Sequence, residues 1–175
     1  PRGALTLLRG PPGSGRASLA ARILARETAA GRPVAWVDAR GTLHPPALAQ
    51  AGVDLERLLV VRPEAERAVY AAERVLESGA FEIVAMSGLD PPLGPSRARR
   101  LQSAAEAEAA TGLVLLDASS EAQTAGARLT AASLELRLAR RGPGLLVSVE
   151  RDRLGPSGRR TFIPLDDAGT GRFAA

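Results

Sequence analysis

The stretch ALTLLRGPPGSGRASL, residues 4–19, decides how the rest of the sequence is interpreted. Residues 4–9 form a short apolar run that is typical of a buried strand. Residues 10–15 read GPPGSG and predict a tight loop, and apolar residues then recur at helical spacing over residues 14–30. A strand, a glycine-rich loop and a helix in this order are the setting of a phosphate-binding loop.

The loop departs from a working phosphate loop at two positions. The spacing from Gly10 to Gly15 is kept, but the positions of the phosphate-binding Lys and the Mg²⁺-binding Ser or Thr hold Arg16 and Ala17. Alanine has no oxygen for Mg²⁺, and the long planar head of arginine does not replace lysine equivalently. Two interpretations therefore stay open: the glycines only make a tight turn, or the loop retains some anion binding. The degenerate loop consists of Gly10, Gly13, Ser14, Gly15, Arg16 and Ala17.

Strands and helices alternate along the first two thirds of the chain. Apolar runs predict further strands over residues 33–39, 58–61, 81–86 and 113–116, with helices over residues 46–51, 64–78 and 96–110. Three more strands, joined by short turns, follow over residues 134–138, 145–149 and 161–165. The predicted fold class is α/β: a mainly parallel sheet flanked by helices, with a C-terminal antiparallel extension. Residues 1–165 are expected to form one core domain, and residues 166–175 a C-terminal tail.

The composition excludes several kinds of site. The 175 residues include no cysteine and one histidine, His44, so disulfides, thiol nucleophiles and cysteine-ligated metals are ruled out. All 23 basic residues are arginine, and the formal net charge of +4 permits nucleic-acid contact without establishing it. Aromatic residues make up 3% of the chain, too few for a platform that stacks single-stranded bases. No apolar run reaches the roughly 18–20 residues of a membrane span, so a cytoplasmic protein is expected.

From Gly3 to about Leu165 the sequence resembles the ATPase core of the bacterial RecA recombinases. The resemblance rests on pieces that occur in the same order and at similar spacing: GPPGSGRASL, PVAWVDA, FEIVAM and LELRLARR, at residues 10–19, 33–39, 81–86 and 134–141. It implies a RecA-like phosphate-loop fold over nearly the whole chain.

The resemblance also implies that several functional side chains are lost. The catalytic Glu of RecA falls on Arg40, the adenine-stacking Tyr on Ala47, the Walker B Asp on Ser87, and the Gln that senses the γ-phosphate on Ala118. Together with the changed loop, these losses imply a pseudo-ATPase with no catalytic residue, no nucleotide cofactor and no metal. Asp90, three residues past Ser87, is not expected to replace the lost metal ligand.

The segments that match the DNA-binding loops of RecA are changed as well. Residues 89–96 are rich in proline, and residues 119–126 are short and lack basic residues. We therefore expect weak or no direct DNA binding. One basic pair survives, because Arg151 and Arg153 fall where RecA places the pair that reaches the neighbouring subunit's nucleotide. These two arginines are candidate partner-binding residues.

A degenerate RecA core in a short, arginine-rich chain is similar to the ImuA family. That resemblance implies a non-catalytic adaptor in DNA damage tolerance, within the translesion synthesis mutasome of an SOS-type response. Its expected partners are ImuB, an error-prone polymerase α subunit and RecA itself. The alternatives are an active ATPase or recombinase paralogue that uses Arg16, and a SulA-type inhibitor of cell division. The retained GPPGSG favours ImuA, since SulA keeps less of the loop.

Overall fold

The computed structural model describes residues 2–89, 93–117 and 131–165. The helices are α1 (Arg16–Ala29), α2 (Pro45–Gln50), α3 (Ala68–Glu77) and α4 (Pro95–Ala107). The first five strands are β1 (Ala4–Gly10), β2 (Val34–Asp38), β3 (Leu58–Val61), β4 (Ile83–Ser87) and β5 (Thr111–Asp117). The last three are β6 (Leu134–Arg141), β7 (Gly144–Asp152) and β8 (Arg160–Pro164).

The described strands form one sheet in the order β3-β2-β4-β5-β1-β6-β7-β8. From β3 to β6 in this order, each pair of adjacent strands is parallel, and β6 joins this parallel part beside β1. The pairs β6–β7 and β7–β8 are antiparallel. This topology confirms the predicted parallel sheet with a C-terminal antiparallel extension.

Apolar layers lie on both sides of the sheet. Helix α1 packs on one side, where Leu24 belongs to the same buried cluster as Leu8 and Trp36. Helices α3 and α4 pack on the other side, where Leu76 and Leu101 join a second buried cluster. Because both sides are covered, β1 and β2 are buried along their whole length, as continuous apolar strands of parallel sheets usually are.

Two helices differ from their predicted bounds by three residues or more. The helix predicted over residues 96–110 ends at Ala107, and the second difference is at the start of α3. The sequence predicts a helix over residues 64–78, but residues Ala65–Arg67 form a 3₁₀ turn and α3 begins at Ala68. Such 3₁₀ turns are common at helix ends, where local sequence gives little information on the boundary. Among the described residues, no helix combines the length and the hydropathy that a membrane crossing requires.

Candidate functional site

The glycine-rich loop lies where the sequence predicts it, between β1 and α1. Gly13 and Gly15 have φ values of +77° and +87°, a left-handed conformation that favours glycine. Gly15 is also the residue that precedes α1. A Cβ at Gly15 would overlap the side chain of Leu145 on β7, so this part of the loop rests directly on the extension of the sheet.

The interior of the loop is filled by its own serine. Ser14 is 2% exposed, and a Cβ at Gly10 would lie 2.5 Å from both the Ser14 Oγ and the Leu138 carbonyl oxygen. The Ser14 amide donates to the Pro11 carbonyl at 3.1 Å, which closes the turn. The glycine at position 10 is therefore required by close packing, independently of any ligand.

Arg16, at the position of the phosphate-binding lysine, forms an ion pair with a carboxylate of the same chain. Its guanidinium donates to Asp117 Oδ1, at the end of β5. Arg40 donates to the other oxygen of the same carboxylate, with 2.8 Å between Arg40 NH1 and Asp117 Oδ2. Asp117 thus bridges the two arginines that replace the lysine and the catalytic glutamate of RecA in the resemblance.

The two arginines also control the charge of Asp117. Burial alone would raise the pKa of the Asp117 carboxyl, but hydrogen bonds and positive charge from Arg16, and then from Arg40, outweigh it and hold that pKa below its ordinary value. The carboxylate is consequently charged at neutral pH. It offsets part of the positive charge that a phosphate would otherwise meet in the loop.

Ser87, at the position of the Walker B aspartate, is also engaged within the fold. Its Oγ accepts from Trp36 Nε1 at 2.9 Å and donates to Asp38 Oδ1 at 3.4 Å. Asp38 is 1% exposed, and its Oδ2 accepts from the Leu43 amide at 2.8 Å. This network fixes the segment after β2 that carries Arg40.

A cavity of about 600 Å³ lies between the loop, α2 and the ends of the strands. It brings together most of the positions predicted from the sequence. Those that line it are Gly13, Ser14, Gly15, Arg16, Ala17, Arg40, Ala47 and Ser87, while Gly10 lies just beneath the loop. Arg140 of β6 lines it as well. Ala118 and Asp90 fall outside the described residues.

The side chains around this cavity do not fit a magnesium nucleotide. Ala17 has no oxygen, the Ser87 hydroxyl is held by Trp36, and Asp117 is paired with two arginines. Across the described ranges, no group of three His, Cys, Asp or Glu side chains is arranged to hold a metal ion. Within the described residues, the cavity lies at a phosphate-loop position but does not carry the metal-binding side chains of that motif.

Arg151 and Arg153 lie away from this cavity. Arg151 lies near the end of β7 and Arg153 directly follows that strand. This end of β7 pairs with the beginning of β6, whereas the loop follows the carboxyl end of β1. The Arg151 guanidinium donates to the Ala132 carbonyl, and the Arg153 side chain is exposed. The two arginines therefore face a different surface from the loop.

Asp117 is the residue of this site that the sequence analysis missed. One signal was available, because a carboxylate ends the apolar strand that precedes the changed segment at 119–126. In parallel sheets the carboxyl ends of neighbouring strands form one edge, where ligands bind. The pairing of β5 with β1, which the alternation of elements does not specify, places Asp117 beside the loop.

A parallel core, a loop joining β1 to α1 and an antiparallel extension define a RecA-like phosphate-loop protein. The family described as RecA N-terminal domain matches residues 1–93, and the chain belongs to this family. RecA of Rhodospirillum centenum is 34% identical over 90 residues, and RecA of Mycobacterium marinum is 36% identical over 90 residues. These alignments cover 51% of this chain and 25% and 26% of the two relatives, so the chain spans about a quarter of their length.

A solved structure extends the likeness to nearly the whole chain. The crystal structure of the RadB recombinase superposes with a TM-score of 0.74, covering 96% of this chain and 90% of that one, at 21% identity. At this identity the likeness shows the fold. The RecA-like fold that the resemblance implied is therefore confirmed, including the C-terminal strands outside the family match.

Proposed function

We propose that this chain is a non-catalytic, RecA-like adaptor in DNA damage tolerance. The observation that carries the proposal is the bridge from Asp117 to Arg16 and Arg40. Phosphoryl transfer depends on positioning, on a metal and on charge stabilisation at the phosphates. In this site the two guanidiniums nearest the loop are already paired, and the positions of the metal-binding Ser or Thr and of the Walker B Asp hold Ala17 and Ser87.

The substitutions around the loop support the same proposal. Arg40 stands where a carboxylate would orient the attacking water, and Ser87 is held between Trp36 and Asp38. A single loss would leave a weakened ATPase. Changes at the lysine, the metal ligands and the catalytic acid together remove each part of the hydrolytic machinery.

The resemblance to ImuA names the partners of the proposed adaptor. They are ImuB, the error-prone polymerase α subunit and RecA, and the site of action is the cytoplasm. The short changed segments at 89–96 and 119–126 and the degenerate loop support an adaptor over an active recombinase. In this role the RecA-like core supplies a binding surface in place of ATP-driven chemistry.

Two measurements test the proposal. Titration calorimetry with ATP and Mg²⁺ should give no binding heat, and turnover abolished by Arg16→Ala would overturn the pseudo-ATPase assignment. Affinity capture from DNA-damaged cells of the source bacterium should retain ImuB, the polymerase or RecA. Capture of the division GTPase FtsZ in their place would favour the SulA-type alternative.

A further inference from the structure

The C-terminal strands expose a side of the sheet that carries both arginines and apolar residues. On the side away from α1, residues of β6, β7 and β8 line up in three rows across the strands. We call this surface the meander face. Its rows are Arg137–Ser148–Arg160, Ala139–Leu146–Phe162 and Arg141–Gly144–Pro164.

No described helix covers the meander face. Helices α3 and α4 pack on the same side of the sheet, over β1, β2, β4 and β5. Neither buried cluster includes Ala139, Leu146 or Phe162. The residues that alternate with them, such as Leu138 and Leu145, belong to the core beneath α1. With respect to the described residues, the strands of the meander therefore have one packed side and one open side.

Phe162 gives the open side a flat apolar centre. Its ring lies over the backbone of Gly144, where a Cβ would be 2.8 Å from Phe162 Cε2. The side chain is 49% exposed, although burial of a phenyl ring is favourable. Leu146 and Ala139 continue the apolar row toward β6. Because position 144 has no side chain, the edge of the ring can lie against the backbone there while the ring stays half-exposed.

The rows on either side of the apolar centre are cationic. Arg137, Arg141 and Arg160 are exposed, and none of them forms an ion pair with a described residue. Some arginines on other surfaces, such as Arg74 with Glu77, have an acidic neighbour. The carboxylates closest along these strands are Glu150, two residues beyond Ser148, and Glu135, which is buried in an ion pair with Arg9. Counted over the described residues, the meander face thus has an excess of positive charge.

We infer that the meander face binds an acidic segment of a protein partner. The segment would place an aliphatic or aromatic side chain on Phe162 and Leu146, and its carboxylates on the arginine rows. Arginine suits this role because its planar head pairs with carboxylates through two hydrogen bonds. The inference rests on the proposed function, since it supplies the surface by which the adaptor holds a protein.

The apolar row favours a peptide over single-stranded nucleic acid. Proteins that bind single strands stack successive bases on several aromatic side chains. The meander face offers one ring, and the rest of its central row is aliphatic. Aliphatic side chains next to guanidiniums match a peptide in which acidic and apolar residues alternate.

The test uses a fluorescein-labelled synthetic peptide in which Glu alternates with Leu and Phe, read by fluorescence anisotropy. Phe162→Ser and the double variant Arg137→Glu/Arg160→Glu should each weaken binding by about tenfold or more. The matched control is Arg67→Glu/Arg99→Glu, which makes the same change of charge on exposed helical positions and should bind like the wild type. Phe162→Leu keeps an apolar contact and should retain most of the affinity. This variant tests the position even where Phe162→Ser does not fold.

Three outcomes would overturn the inference. They are equal binding by all variants, equal binding of a peptide with Lys in place of Glu, and preference for an oligo(dT) strand that depends on Phe162. Capture of ImuB, polymerase or RecA from damaged cells separates the two proposals. If wild type and Arg137→Glu/Arg160→Glu capture these proteins equally, the meander face does not bind the partner, and the proposed adaptor function is unaffected. If neither protein captures them while the peptide still binds through Phe162, the proposed adaptor function is wrong, and peptide binding by the meander face is supported.

Discussion

Asp117, the last residue of β5, forms an ion pair with Arg16, the first residue of α1. The loop arginine that would meet a phosphate therefore meets a carboxylate of its own chain. Arg40 binds the second oxygen of that carboxylate, so one side chain engages both cations. Asp117 acts as an internal anion at a site whose shape is that of a phosphate loop.

The first prediction follows from removing this internal anion. Asp117→Asn should release Arg16 and Arg40 into a cavity that Arg140 also lines. We expect the affinity for pyrophosphate to rise by about tenfold or more, because uncompensated guanidiniums bind phosphate strongly. Under the proposed function, neither the wild type nor Asp117→Asn should hydrolyse ATP. Titration calorimetry without Mg²⁺ measures the change.

Asp54→Asn is the matched control for this experiment. Asp54 pairs with Arg57 far from the loop, and its side chain accepts from the Glu56 amide, which asparagine also allows. This variant should bind pyrophosphate no better than the wild type. Equal weak binding by both variants and the wild type would show that Asp117 does not compete with anions.

The second prediction concerns the pH dependence of stability. The two arginines hold the pKa of Asp117 below its ordinary value of 3.8, so the folded state favours the ionised form. The resulting stabilisation is complete above the ordinary value and is lost as the pH falls through the lower pKa of the folded state. The difference in free energy of unfolding between wild type and Asp117→Asn should therefore be largest at neutral pH and shrink as the pH falls below the ordinary value of 3.8. Urea unfolding across this range measures it, and a constant difference would contradict the assignment.

The sequence predicts local elements better than the contacts between them. The strand, loop and helix over residues 4–29 follow from apolar spacing and glycine position, and the structure has them. The Arg16–Asp117 pair joins residues 101 positions apart and exists because β5 lies beside β1. The Trp36–Ser87 bond likewise depends on β2 lying beside β4. The resemblance to RecA indicated which side chains were lost, but it did not indicate what replaced their interactions.

The third prediction separates two requirements for glycine in the loop, a positive φ and close packing against Leu145. Gly13→Ala adds a methyl group in open space and meets only the cost of a positive φ, about 1–2 kcal/mol. Gly15→Ala meets the same cost and also overlaps Leu145, so it should destabilise the fold by more. Thermal or urea unfolding of both variants gives the comparison. Leu145 is buried, so Leu145→Ala destabilises the fold by itself and serves as the background for a double-mutant cycle. In that background Gly15→Ala should cost less than in the wild type and Gly13→Ala should cost the same, and equal losses in the two glycine variants would contradict the packing of the loop on β7.

The last prediction concerns RecA as the partner of the proposed adaptor. A RecA-like subunit without ATP hydrolysis could dock at the end of a RecA filament and supply arginines to the nucleotide of the terminal subunit. Arg153 is the better position to test, because its side chain is exposed while the Arg151 guanidinium also holds the Ala132 carbonyl within the fold. We expect the wild-type protein to lower RecA-catalysed strand exchange in proportion to its concentration, and Arg153→Glu to lose most of this inhibition through charge repulsion with phosphate. Arg67→Glu, exposed on another surface, is the control and should inhibit like the wild type. Equal inhibition by all three proteins would show that Arg153 does not contribute to the contact with RecA. No inhibition by any of the three would show that this protein does not act by capping RecA filaments.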